Sequence, residues 1–534
     1  MIKQAASPGI DCLNSYTNHS IQSNHAERAT PDYPASHVPS TGPDNSRMNL
    51  LPLSSLLLTS LIATAALLAT PALAAPLPAN SLPPEVEAQL LRAKVPREAL
   101  AALVVDASPG AKNTPLLSQR ASAAVNPASV MKLVTTYAAL ELLGPSYTWA
   151  TPVFIDGTID GGVLKGNLII QGRGDPKLVV ERLWLLMRRV QGLGIKTITG
   201  DILLDRSAFA ASTQNQNPAD FDGEPLRPYN AAPDALLINF KSVVMTFTPN
   251  ASAGLASVSV DPPLANVQLP ASVPLLAGAD CGDYRAGLKA DFNDPFRISF
   301  KGGLPASCGE KTWAVAYADP ASYAERAVLG MWQELGGKLG GRVKEGRAPT
   351  GLRPTFEATS PPLADVITDI NKYSNNVMAQ QLFLTLSLQA TGSASFDASQ
   401  GVLRSWWRER FGDADQPTLD NGSGLSRQER ITPQGLARLL QTAFASGAMP
   451  ELMSSLPIAG VDGTLRRSKS RVSQGWAHLK TGTLRDSTAL AGYVHTPSGR
   501  RLVVVAIVNH PNAAAARPAL DALVDWAVKE GAKP

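Results

Sequence analysis

Three short groups of residues carry side chains suited to acyl transfer. Ser129-Val130-Met131-Lys132 is the only Ser-x-x-Lys in the chain. On a helix, side chains three apart share a face, so the lysine amine can reach the serine hydroxyl and, when neutral, take its proton. A lysine in water is protonated at pH 7, so the site must lower its pKa by desolvation and neighbouring positive charge. A place in the first helical turn helps, because the positive end of the dipole disfavours an ammonium and favours developing negative charge. Ser374-Asn375-Asn376 offers a hydroxyl that can relay a proton and, two residues on, an amide that can hold a carbonyl. Lys480-Thr481-Gly482-Thr483 combines a cation, two hydroxyls and a glycine, which suits a carboxylate with substrate backbone alongside. Taken singly, each group also fits an ordinary part: a helix serine beside a solvated lysine, a loop or cap, an exposed strand lysine.

Other nucleophile and cofactor patterns are missing. The chain has no HExxH, no G-x-x-x-x-G-K-[ST] and no G-x-S-x-G. Outside the N-terminal stretch read below as a leader, a histidine-based triad would need His478, His495 or His510; His495 and His510 fall at strand ends and read as surface or packing residues. The Arg-Gly-Asp within Gly172–Pro176 reads as a Gly-Asp-Pro turn. Three cysteines are too few for a disulfide-dense scaffold or a cysteine zinc cluster. No metal or cofactor is expected.

The elements around the three groups can be read from periodicity. Asn126 is a good N-cap and Pro127 suits the first helical position; the helix then runs to the stop at Gly144-Pro145. It is apolar almost all round, so it should lie at the centre of a domain. Ser374 falls within or just after a helix around 364–372, and a further helical pattern covers 398–412. Lys480 falls on the first of three strands, "AHLKTGTL", "ALAGYVHT" and "RLVVVAIVNH"; the last two are joined by the turn 497–500. A helix follows, with Leu520, Leu523, Val524, Ala527 and Val528 at helical spacing. Near the other end, "LVVD" from Leu103 and a piece around Leu116 read as extended. From about Thr148 the texture turns β-rich, interrupted by a helix around 181–193, and residues 241–313 form another small β unit. Helix and sheet at both ends therefore bracket a β-rich middle, the pattern of one domain split by a long insertion.

Composition agrees with a large folded protein of several domains: 534 residues, 44% hydrophobic and only 17% charged. A net charge of +4, evenly spread, does not indicate nucleic acid as a partner. The apolar stretch 50–75 ends in Ala72-Leu73-Ala74, a small-x-small cleavage pattern, and reads as a signal peptide over 48–74 cut near Ala74/Ala75. An uncleaved anchor is the alternative. Residues 1–47 are polar and would precede the signal, so translation is expected to begin at Met48, although such a start leaves no Lys or Arg before the apolar run. Export makes the pair Cys281 and Cys308 a disulfide candidate; Cys12 falls in the leader.

Ser-x-x-Lys, Ser-x-Asn and Lys-Thr-Gly, in that order in an exported chain, are the signatures of penicillin-binding proteins and serine β-lactamases. The first two serines are 245 residues apart (129 to 374), far too many for a class A β-lactamase; 106 residues follow to Lys480. The chain resembles the D-alanyl-D-alanine carboxypeptidase/endopeptidase family of penicillin-binding protein 4 (class C low-molecular-mass, peptidase family S13). "GRGDPKL", "PYNAAPDALLINF", "DNGSGLSR" and "LPIAGVDGTLRR" agree, and the likeness covers nearly all of 85–530.

The resemblance implies an α+β fold: a transpeptidase-like domain, an antiparallel sheet flanked by helices, split by inserted β-rich domains. The expected parts are 80–146 and 353–534 for that domain, 147–240 and 318–352 for one insert, and 241–317 for a second within it. It implies Ser129 as nucleophile, Lys132 as its base, Ser374 as proton shuttle supported by Lys480, and Asn376 on the substrate amide. Thr481 and Thr483, flanking Gly482, would hold the terminal carboxylate, and the N–H groups of Ser129 and Thr483 would form the oxyanion hole. Glu224, with Asp222 as another acid nearby, and Tyr229 are candidates for the free amine of diaminopimelate, and Arg427 for its distal carboxylate. Implied partners are peptidoglycan stem peptides and β-lactams as covalent inhibitors, in the periplasm, with a homodimer one option for assembly. A β-lactamase and a non-catalytic wall-binding scaffold are the competing readings.

Overall fold

A computed structural model describes residues 81–108 and 114–531. The expected leader 1–47, the signal segment 48–74 and its cleavage point lie outside the described residues.

The sheet that carries Lys480 has five antiparallel strands: β1 (Leu100–Asp106), β2 (Leu117–Gln119), β3 (Ala477–Leu484), β4 (Ser487–His495) and β5 (Arg501–Asn509), in the order β3-β4-β5-β1-β2. Alternation along the strands sends side chains to opposite faces. Leu103, Val105, Ala491, Tyr493, Val503 and Val505 join a core with three helices: α1 (Lys132–Leu143), α2 (Leu363–Tyr373) and α3 (Asn376–Thr391). Leu100, Val104, Leu490, Val494, Val504 and Val508 point the other way and are covered by the helices Pro84–Arg92 and Arg517–Glu530. Burial on both faces is why β5 reads as a nearly unbroken valine-rich run.

The helix around Ser129 begins later than its cap signals imply. Asn126 Oδ1 accepts the N–H of Ala128 (2.8 Å), but Ala128 has φ +48°, so no α-helix can run through it. Residues Ala128–Met131 form a 3-10 turn instead, and α1 starts at Lys132. In such a turn residues i and i+3 eclipse, which brings Ser129 and Lys132 into line. Gly144, with φ +81°, ends α1 as expected.

Residues between α1 and α2 build two larger sheets and a two-stranded ribbon, Ala290–Asp294 with Arg297–Phe300. One has seven strands, including Ala150–Asp160, Val163–Gln171 and Ile202–Asp205, backed by the helices Val180–Gly192 and Tyr323–Glu334. Phe356–Thr359 still pairs with Ala150–Asp160 in this sheet, so the chain leaves the insert a few residues beyond 353. The other has five strands, among them Ser242–Asn250, Leu255–Asp261 and Lys311–Ala316. Cys281 and Cys308 are joined in a disulfide at its edge. The described residues fall in one compact unit. Among them, no helix is long and apolar enough to cross a membrane.

Candidate active site

Ser129 sits half-buried in the 3-10 turn, with the amine of the wholly buried Lys132 3.0 Å from its Oγ. That amine also donates to Asn376 Oδ1 (2.6 Å) and to the Ser423 carbonyl (2.5 Å). The turn is pinned to the sheet. Asn126 N–H donates to Asn509 Oδ1 (2.8 Å), and the Asn126 carbonyl accepts from Asn509 Nδ2 and the Ser487 hydroxyl (2.9 Å each).

The second group occupies a break between two helices. Ser374 adopts left-handed φ and ψ (58°, 34°) at the end of α2, and Asn375 caps α3 by accepting the N–H of Met378 (3.0 Å). The break turns Ser374 and Asn376 toward the other two motifs. Lys480 is wholly buried; its amine donates to Ser374 Oγ (2.8 Å) and to the Thr481 carbonyl (2.7 Å). Thr481 Oγ1 pairs with Thr464 Oγ1 (2.7 Å).

Gly482 brings β3 against the nucleophile. A Cβ there would lie 2.5 Å from the Pro127 carbonyl oxygen and 3.0 Å from the Ser129 nitrogen, so only glycine allows this approach. Beyond it Thr483 is exposed, on the edge strand of the sheet. Ser129, Lys132, Ser374, Asn376, Lys480, Thr481 and Gly482 are thus gathered from three separate segments. The arrangement provides a hydroxyl in contact with an amine, a second hydroxyl in contact with a second amine, and a strand edge for an extended ligand.

The more distant candidates are placed differently. Glu224 is exposed and pairs with Arg227 (3.6 Å). Asp222 is the acid held against Tyr229: its two oxygens accept from the Tyr229 hydroxyl (2.9 Å) and from Asn230 Nδ2 (2.7 Å). Burial first, and the Asp222 contact second, push the Tyr229 phenol up to about 12. Tyr229 reaches the site through its carbonyl, which accepts from Asn376 Nδ2 (3.3 Å). Arg427 pairs with Asp486 (2.9 Å) and lies over the Phe221 ring (4.8 Å). The segment 221–230 therefore flanks the site at both points.

The stretch 420–427 entered the sequence reading only as part of the family likeness, with no role for the loop that closes over Lys132. Gly424, with φ +80°, would place a Cβ 2.0 Å from the Ala128 carbonyl oxygen, and the Gly422 carbonyl accepts from Thr135 Oγ1 (2.6 Å). The signal was the pair of glycines around Ser423. A cavity of about 480 Å³ lined by Tyr147, Trp149, Arg173 and Gln389 shares none of these residues. Gln389 lies 13 residues along α3 from Asn376, about 20 Å away, so this cavity is separate from the gathered side chains.

An antiparallel sheet between helices, with a serine and two buried lysines at its edge, is the transpeptidase-like fold. A crystal structure of penicillin binding protein 4 (dacB) from Haemophilus influenzae matches with TM-score 0.64 at 24% identity, over 82% of this chain and 99% of that one. Residues 83–530 match the family described as D-Ala-D-Ala carboxypeptidase 3 (S13), and the chain belongs to it. D-alanyl-D-alanine carboxypeptidase DacB of Haemophilus influenzae is 26% identical over 396 residues, 72% of this chain and 80% of that protein. D-alanyl-D-alanine carboxypeptidase of Actinomadura sp. (strain R39) is 28% identical over 431 residues, 76% and 77% respectively. The chain is a serine-type D-Ala-D-Ala carboxypeptidase.

Proposed function

We propose that Ser129 forms an acyl-enzyme with peptidoglycan stem peptides, cutting D-Ala-D-Ala ends and the D-Ala–meso-diaminopimelate cross-link, and that penicillins acylate the same oxygen. The observation that carries this reading is the contact of Ser129 Oγ with the buried Lys132 amine. Burial disfavours the charged form of an amine, which suits Lys132 to act as the base.

The steps balance as follows. Lys132 takes the Ser129 proton while Oγ attacks the penultimate D-Ala carbonyl. The C–N bond breaks, and the leaving amine receives the proton that Lys132 took, relayed through Ser374 beside the Lys480 cation, which leaves Lys132 neutral again. Water then attacks the ester, gives its proton back through Lys132, and Ser129 Oγ is released protonated. Asn376 holds the substrate amide, Thr481 and Thr483 the terminal carboxylate. The N–H groups of Ser129 and Thr483 stabilise the oxyanion, at about 3–4 kcal/mol per donor. The flanking segment 221–230 supports recognition of the diaminopimelate amine. Asp222, joined to Tyr229, suits that role better than Glu224, which is engaged with Arg227; Arg427 serves the distal carboxylate. Sites that act on peptidoglycan belong in the periplasm, which agrees with the export signal and the disulfide.

Digestion of purified cross-linked muropeptides, with products weighed by mass spectrometry, tests the reading. Wild type should release D-alanine and split dimers into monomers, and Ser129→Ala should do neither. Intact dimers with wild type would reject the endopeptidase half; activity retained by Ser129→Ala would reject the nucleophile.

A further inference from the structure

Glu429 is a completely buried carboxyl that no step above uses. Its Oε1 accepts the N–H groups of Gly422 (2.8 Å) and Asp420 (3.2 Å), while Oε2 has no hydrogen-bond partner among the described residues. A buried carboxylate oxygen without a partner is costly, so fold stability alone does not account for this side chain. Burial pushes the carboxyl up to about 7, opposed by the N–H groups of Gly422 and Asp420; the Asp420 charge adds to the rise and the Lys132 charge counters it.

The loop that Glu429 holds is the one that meets Lys132. Thr418 and Arg430 pair as an antiparallel bridge, so Glu429 reaches back across the loop they enclose. Inside it, the Ser423 carbonyl takes a hydrogen bond from Lys132 Nζ (2.5 Å) and the Gly422 carbonyl takes one from Thr135, also on α1. Gly424 abuts the Ala128 and Ser129 backbone, and α3 packs Phe383 against Gly422. Charged groups around Glu429 are Asp420 on its own loop and Lys132 on α1. Arg430 turns its guanidinium to the carbonyls of Arg427 and Glu429, and Arg427 is engaged by Asp486.

We propose that Glu429 is a positioning residue for the general base: it fixes the 420–424 loop so that the Ser423 carbonyl orients the Lys132 amine, and its carboxylate is the internal counter-charge for the ammonium formed when Lys132 takes the Ser129 proton. The inference rests on Lys132 being that base. Glu429 itself accepts no proton in the step.

Glu429→Gln keeps the shape and an acceptor oxygen but removes the charge. A carboxylate near an amine favours its protonated form, so its loss makes Lys132 a weaker base. Acylation by fluorescent penicillin, timed from about pH 5 to 9, should then show two changes: an acid limb lower by about half a pH unit and a plateau about three- to tenfold slower. A folded variant with an unmoved acid limb overturns the inference, whether or not the plateau falls, because a purely structural role would leave the limb in place. If the Gln variant does not fold, Glu429→Asp, which keeps the charge with a shorter reach, is read in the same assay. An acid limb moved part of the way down supports the inference, because the retained charge then lies farther from Lys132, and a wild-type limb overturns it. Lys132→Ala separates the two claims. If it is acylated as fast as wild type, the base assignment itself fails; if it is inert while Glu429→Gln matches wild type, only the role of Glu429 fails.

Discussion

Replacing Gly482 by alanine tests how closely the edge strand must approach the nucleophile. The added methyl would sit 2.5 Å from the Pro127 carbonyl oxygen, 3.0 Å from the Ser129 nitrogen and 3.1 Å from Ala128 Cβ, where ordinary contact begins near 3.4 Å. Strand and turn must therefore part by roughly 0.9 Å, and a displacement of that size at a reacting centre costs about 100-fold in rate. Neither side yields easily. The strand is in register with β4, Gly482 opposite Ala489, and Asn509 and Ser487 hold the turn through Asn126. Overpacking of this kind should also lower stability by about 1–3 kcal/mol. Gly447, which has nothing within 4 Å of its notional Cβ, provides the control. The assay is the second-order rate of acylation by fluorescent penicillin, read beside the Tm. Gly482→Ala should acylate about 100-fold more slowly and Gly447→Ala at the wild-type rate. A Gly482→Ala protein as fast and as stable as wild type would refute the argument.

Three other outcomes are expected. Replacing Cys281 and Cys308 together by serine opens a loop spanning 27 residues and should cost about 3–4 kcal/mol in denaturant unfolding of that insert, with penicillin acylation at 25 °C unchanged. His495 is held down to about 4 by burial, by Arg501 and by His478, against an ordinary value of 6.5. Between those values the unfolded chain binds a proton that the folded one does not, so stability should fall as pH drops from 6.5 toward 4; His495→Gln should flatten that slope in thermal melts. Asp222→Asn should raise KM for cross-linked muropeptides by up to about fivefold, the range of an exposed charge pair, while leaving penicillin acylation unchanged.

Much of the site was legible because its chemistry is written in short motifs. Ser129 and Lys132 lie one turn apart, and Lys480 sits on a strand whose alternation and glycine are plain. The strands β3 to β5 follow from short apolar, β-branched runs bounded by turn residues, and the final helix from a period-3.6 pattern. The start of α1 was not legible: Asn126 and Pro127 are good start signals, but the left-handed Ala128 is imposed by Gly424 and Gly482, which arrive from 296 and 354 residues away in sequence. The same holds for Glu429. Its partners are the N–H groups of a loop whose shape no local pattern encodes, so it reads as one more solvated acid. Asp222 and Glu224 are two residues apart and alike in type; only the fold decides which one meets Tyr229. The helix Tyr323–Glu334 gave no expectation of its own within a stretch read as β-rich, because its apolar face was masked by the surrounding insert pattern.

Catalysis by this protein turns on one bond, that between Ser129 Oγ and an acyl carbon. Intact-protein mass spectrometry after exposure to penicillin, followed by peptide mapping, asks where an acyl group is carried. One penicillin per chain, attached at Ser129 and absent from Ser129→Ala, is the predicted result; label at another residue, or label that persists in Ser129→Ala, would contradict it.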